Sequence, residues 1–261
     1  MTDEHHALRT IVNRSGFPLQ IKIADEVAKT KSTHGWSVLY QEHAWSHPTT
    51  DDSGFIDLVL QGGAGHSVLV VECKRVTNKS WIFLVPSDKA RLRSHCKAWV
   101  TLHENQSVRE GWSELQAEPP TVEAMFCVFD DNSRSLLESD AARLVCATEG
   151  LAREERKVLT RLPFFVRVYV NVIVTTAKLF ACKVEPEQIS LIDGTSSKNQ
   201  FEEVPYLRFR KQFATASPDF HAHISDLGNL EARKENTVWV VNANAFVEFL
   251  SQFEHNDAWR G

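Results

Sequence analysis

Asp57 and Glu72 are two acids with fourteen residues between them, and Lys74 follows the second after one further position. This spacing has chemical meaning if the intervening chain is a hairpin. Segments 54–61 and 66–76 are both apolar, and Gly62-Gly63-Ala64-Gly65 joins them strand to strand, so the glycines read as a turn. A phosphate-cradling loop would instead open a helix. With those four residues as the loop, Gln61 faces His66, Asp57 faces Val70, and Glu72 lies on the diagonal from Asp57. Residues 70, 72 and 74 share a face because a strand alternates with period two, so Asp57, Glu72 and Lys74 converge on one side. A slip of one residue would separate them.

That convergence is costly without a counter-ion. Val68, Leu69, Val70 and Val71 predict a strand buried on both faces, where two carboxylates lose hydration and repel each other. A divalent cation between them removes the conflict. Magnesium, with manganese as the alternative, takes hard oxygen ligands and commonly combines one or two carboxylates with waters and phosphate oxygens. An adjacent lysine ammonium would then orient a water or stabilise charge developing on phosphate oxygens. The chemistry these residue types suit is phosphodiester hydrolysis.

The elements that must position them follow from periodicity. Leu19, Ile23, Ala24 and Val27 predict an amphipathic helix over 17–31. A strand is expected over 36–45, a loop over 47–53, and then the two hairpin strands. Residues 88–103 predict a second helix, with Leu92, Cys96 and Trp99 on one side and Lys89, Arg93 and Lys97 on another. Residues 104–120 are polar and read as a loop, 124–129 as a short strand, and 133–160 as a helix broken at Gly150. Strands are expected over 164–174, 179–184, 188–192, 206–209 and 238–241, and a last helix over 244–253. Strands and helices interleave without a linker or repeat, which predicts a single α/β domain with a mixed sheet.

Ile56-Asp57, fourteen residues and Glu72-Cys73-Lys74 together resemble the motif of the PD-(D/E)XK nuclease superfamily. The likeness extends to element order, a helix, three strands and a helix between about 17 and 103. It implies a restriction-endonuclease-like core with a central mixed β-sheet flanked by helices, extended by additional C-terminal strands and a terminal helix. Within the single domain 1–261, the core would span 17–130 and the extension 131–261. By the same resemblance Asp57 matches the first metal-binding aspartate, Glu72 the second acid and Lys74 the catalytic lysine, while Cys73 would lend its backbone carbonyl to the metal. Many members add an acid from the first helix; Glu26 is the candidate, and Glu42 on the next strand is the alternative. Ile56 replaces the family's proline, and the glutamine-tyrosine signature of some exonuclease branches is not evident after Lys74.

The chain carries a net charge of −5, but its charge is polarised. Lys74, Arg75, Lys79, Lys89, Arg91, Arg93 and Lys97 crowd one stretch in which Asp88 is the sole acid. Lys79, Lys89, Arg93 and Lys97 are therefore candidate phosphate contacts, with Trp81 as a base-stacking candidate beside them, and nucleic acid is the expected partner, DNA before RNA. Double-strand cutting would favour a homodimer, because one such centre cuts one strand. No apolar run of about 18 residues and no signal-peptide core appear, so a cytoplasmic protein without a membrane partner is expected. The five cysteines are widely spaced and mostly within apolar runs, which fits reduced core residues. His43 with His47, and His221 with His223, lack further ligands at zinc spacing, and no Gly-x-Ser-x-Gly elbow is present. The competing expectation is a nuclease-like fold that binds nucleic acid or a protein without cutting, marked by Lys74 turned away or paired with Glu72.

Overall fold

The computed structural model describes residues 3–47, 51–62, 65–77, 79–87, 91–105, 107–129, 136–213 and 234–256. After α1 (Asp3–Arg14), helix α2 (Phe17–Lys29) buries Gln20, Ile23, Ala24 and Val27, the i, i+3, i+4, i+7 set of one helical face. The Thr30 N–H closes back on the Glu26 carbonyl, and a single turn, α3 (Lys31–His34), ends at Gly35 with φ 77°. Glycine occupies that left-handed position without the Cβ clash other residues meet.

Three antiparallel strands follow: β1 (Ser37–Ser46), β2 (Ser53–Gly62) and β3 (Ser67–Lys74). The chain then builds β4 (Ser80–Pro86), β5 (Arg93–Glu104), β6 (Ser107–Thr121), β7 (Glu123–Ala124) and β8 (Phe126–Val128) before reaching helix α4 (Leu136–Leu159). From α4 it returns as β9 (Phe164–Thr175), parallel to β3 from Ser67↔Val168 to Lys74↔Thr175. β10 (Lys178–Val184), β11 (Asn199–Glu203), β12 (Tyr206–Gln212), β13 (Glu235–Asn242), α5 (Phe246–Gln252) and β14 (Glu254–His255) complete the chain.

Among the described residues the main sheet has ten strands, ordered β1-β2-β3-β9-β13-β12-β7, with β5, β6 and β14 joined through β9. A second sheet runs β11-β10-β4-β8. Both are mixed, and the architecture is α/β with helices flanking a multi-stranded sheet. Alternation along β3 divides the core: Leu69, Val71 and Cys73 pack with α2 and α5, whereas Val68 and Val70 pack with α4 and the second sheet. Glu72 and Lys74 continue the second set and so emerge on the α4 face.

Several expectations are corrected. Residues 93–104 form β5, not part of a helix over 88–103, because β5 lies between β6 and β9 and is buried almost throughout. A segment covered on both faces needs no amphipathic stripe, and Trp, Val and Thr suit a strand there. The loop expected over 104–120 is mostly β6, the long partner of β5. α4 passes through Gly150 unbroken; a Cβ there would lie 3.0 Å from the Ser46 carbonyl oxygen, so the glycine permits close approach of helix to β1. In place of a strand over 188–192 there is a 3-10 turn at Pro186–Gln188 and one isolated bridge, Ile189↔Ser196. β9, from 131–261, pairs with β3, from 17–130, so the two segments share one sheet. All five cysteines are free, and among the described residues no helix is long and apolar enough to cross a membrane.

Candidate active site

The hairpin register differs from the expected one and brings the acids closer. Gln61 pairs with Val68 and Leu58 with Val71, so each β2 residue meets a partner two positions later than the glycine run suggested. A shift of two preserves the faces of a strand. The ladder ends at Leu58↔Val71; one step beyond it, Asp57 comes level with Glu72, and its Oδ2 accepts the Cys73 N–H at 2.7 Å. The Asp57 carbonyl accepts a hydrogen bond from Gln20 Nε2 at 2.9 Å, which ties the site to α2.

Glu42 completes a row of carboxylates across the three strands. Gln41↔Leu58 and His43↔Ile56 place it across from Asp57, and its φ of 49° is left-handed, a conformation that costs an ordinary residue about 1–2 kcal/mol. Burial raises the Asp57 pKa to about 7, helped by the negative charges of Glu72 and Glu42, while the Cys73 N–H and the Lys74 ammonium pull the other way. Glu72 and Glu42 thus both bear on Asp57.

Lys74 lies between two carboxylates. Its Nζ is 2.8 Å from Glu72 Oε1 and 3.0 Å from Asp140 Oδ1 on α4. Partial burial opposes its charge, but Glu72 and Asp140 outweigh that and raise its pKa. Nothing in the sequence near residues 57–74 pointed to Asp140, because the crossover helix that carries it is separated from β3 by five strands. Gln20 was not singled out either, because the α2 stripe was read on Leu19, Ile23, Ala24 and Val27, and a glutamine on that face carries no apolar signal.

The remaining site candidates are dispersed. Glu26 lies on α2, the helix packed against the other face of the sheet, and is paired with Lys22. Trp81 is buried in the core, edge-on to Phe129, and offers no surface for a base. Lys97 is buried in β5 and Arg93 is exposed at its start, so they do not form the expected basic helix stripe; Lys89 lies outside the described residues. His221 and His223 also lie outside them, and His47 pairs with Glu149 in the interior. Lys79 lines an open groove beyond Lys74.

The described residues contain no ready-made cluster of three or more His, Cys, Asp or Glu side chains arranged to hold a metal. A hexahydrate-forming ion such as magnesium does not require one, since one or two carboxylates with waters and phosphate oxygens suffice. Asp57 and Glu72 are two such carboxylates: burial, and after it the Glu72 charge, raises the Asp57 pKa, and a cation beside them would offset that charge. Compared with protein-family models, curated proteins and solved structures, the chain matches none.

Proposed function

We propose that the chain is a metal-dependent nuclease of the PD-(D/E)XK type, hydrolysing phosphodiester bonds, with DNA as the first substrate to test. The observation that carries this reading is Asp57, a half-buried carboxylate with its pKa raised to about 7 beside Glu72 and Glu42 at the end of a core strand. Such strain on an acid is common where charge is to be handled chemically. The order α2, β1, β2, β3, then α4 supports the reading too, with the second helix supplied by α4 after a β-rich insertion. Asp57 and Glu72 would hold magnesium or manganese, which supplies charge neutralisation at the phosphate and lowers the pKa of a bound water. Gln20 and the Cys73 N–H fix Asp57 in place. Glu72 and Asp140 hold the Lys74 ammonium where it can orient water or offset charge on the phosphate oxygens. Free cysteines suit a reducing compartment such as the cytoplasm. Cutting both strands of a duplex would take two copies of the chain.

The Lys74–Glu72 pair is also the feature that favours the second reading, a nuclease-like scaffold that binds nucleic acid without cutting it. A carboxylate offers about four lone-pair sites, so one bond to lysine leaves Glu72 able to ligate a cation. The decisive experiment is cleavage of DNA and RNA panels with magnesium and with manganese by wild type, Asp57→Ala, Glu72→Ala and Lys74→Met. Both alanine variants should be inactive while folded. Lys74→Met should still bind manganese in calorimetry but cleave about a hundredfold slower or worse, the loss expected for one preorganised electrostatic group. Full activity in either alanine variant removes the proposed centre, and an inactive wild type favours the scaffold.

A further inference from the structure

An open groove of about 720 Å3 lies at the end of β3 from Arg75 onward, bounded by the first half of α2, the segment that follows β3 and the turn that follows β9; the Lys74 ammonium, turned to α4, is next to it in the chain but not part of its lining. Lys22, Arg75, Lys79 and Lys178 line it with the hydroxyl-bearing Thr77 and Thr176, and no acid is part of its lining among the described residues. These four cations come from three stretches of chain remote in sequence, so folding alone gathers them. In a protein of net charge −5, such a concentration of one sign is not a general property of the surface.

The walls are held in place. Thr176 Oγ1 accepts the Val76 N–H and donates to the Val76 carbonyl, both at 2.8 Å, while the Thr176 N–H reaches the Lys74 carbonyl at 3.2 Å. Ser80, at the far end of the segment, pairs with Lys178 in the β4–β10 ladder. On the next strand, Asn242 Nδ2 donates to the Ala177 carbonyl at 2.8 Å. Arg75 and Lys178 are therefore exposed side chains on a braced backbone. Lys22 is partly neutralised by Asp25 and Glu26 on its own helix, which leaves Arg75 and Lys178 as the stronger anion contacts. The location also has a physical logic: β3 and β9 are parallel and end here, and open α/β sheets bind ligands outside the carboxyl ends of their strands.

We infer that this groove, and not the basic stretch around residues 88–97, is the phosphate-binding track along which a polynucleotide backbone runs across the end of β3, next to the proposed centre. The ligand class rests on the nuclease reading, since the groove adjoins the proposed centre; binding itself needs no catalysis. An extended anion is favoured over a compact one because the cations line an open groove from separate walls, with phosphates along a strand able to meet them in turn.

The test is fluorescence anisotropy with labelled single-stranded and duplex oligonucleotides in EDTA across a salt series, using wild type and Arg75→Ala/Lys178→Ala. Both positions are exposed, and a thermal melt checks that the variant remains folded. The double variant should bind more weakly, and its log-log salt slope should be shallower by about 1.4–1.8, the loss expected for two phosphate contacts. An unchanged slope, or a wild type that binds neither oligonucleotide at low salt, overturns the track. Competition with inorganic pyrophosphate separates the sources of phosphate: displacement of the oligonucleotide at equal concentrations of phosphate groups would make this a small-anion site and overturn the proposal. Failure of the nuclease reading appears elsewhere, as a wild type that binds with the expected slope but shows no metal-dependent cleavage.

Discussion

Asp57 keeps its proton far above the pH at which an ordinary aspartate releases it, and this has a thermodynamic consequence. Its folded-state pKa, about 7, exceeds the ordinary aspartate value of 3.8. The native state therefore binds a proton that the unfolded chain lacks between those values. The resulting stability is fully present below about pH 4 and is lost as pH rises through about 7, a contribution on the order of a few kcal/mol. Asp57→Asn removes the ionisable group while leaving an oxygen to accept the Cys73 N–H. Its melting temperature should exceed that of wild type at pH 8 by more than it does at pH 4. Manganese should behave as the mirror image in wild type, raising the melting temperature more at pH 8 than at pH 5, because it competes with the proton for the same oxygens. A variant-to-wild-type difference that does not change with pH would remove Asp57 from the charged centre.

α4 shows how a helix can be placed by what it lacks. Gly150 sits in the middle of its 24 residues, where glycine costs roughly 1 kcal/mol of helix propensity relative to alanine. The compensation is contact: Ser46 and Trp45 of β1 come so near that a Cβ would meet the Ser46 carbonyl oxygen at 3.0 Å and the Trp45 ring at 3.4 Å. This approach helps set the height of α4 over the sheet, and with it the reach of Asp140 to Lys74. Gly150→Val should destabilise the protein by about 1–3 kcal/mol, the usual range for overpacking, measured by urea denaturation. It should also weaken cleavage with the Asp57, Glu72 and Lys74 side chains untouched. Unaltered stability would mean that α4 has room to shift.

At the scale of the whole molecule, the two halves of the chain share one interior. β9 lies beside β3 on one side and beside β13 and β5 on the other, and α4 and the second sheet cover a common core. Arg208 ties distant strands together: its guanidinium, stacked 4.0 Å over the Trp239 ring, donates to the carbonyls of Ala117 and Pro119 and to the Thr121 hydroxyl. Desolvation lowers its pKa to about 10. Fragments 1–130 and 131–261 should each lack cooperative structure when expressed alone, since each loses half of the paired sheet. Circular dichroism and a thermal melt on the separate fragments are the check, and a sharp transition in the first would show that the core closes without β9.

The sequence by itself determined that Asp57, Glu72 and Lys74 share a face, because a period-two strand tolerates a register error of two residues and the error here was two. It also determined α2, the β2–β3 hairpin and the apolar strand β9, whose patterns are local. Tertiary structure decided the rest. Residues 93–104 carry a plausible helical stripe, yet neighbouring strands on both sides make them β5, and that burial removes Lys97 from the surface. Tertiary structure also chose Glu42 over Glu26 as the third acid acting on Asp57, since α2 packs on the opposite face. Asp140 and Lys178 were invisible for a related reason: Asp140 comes from α4 and Lys178 from the start of β10, both far from β3 in the chain, and a non-local contact leaves no periodic mark in the sequence.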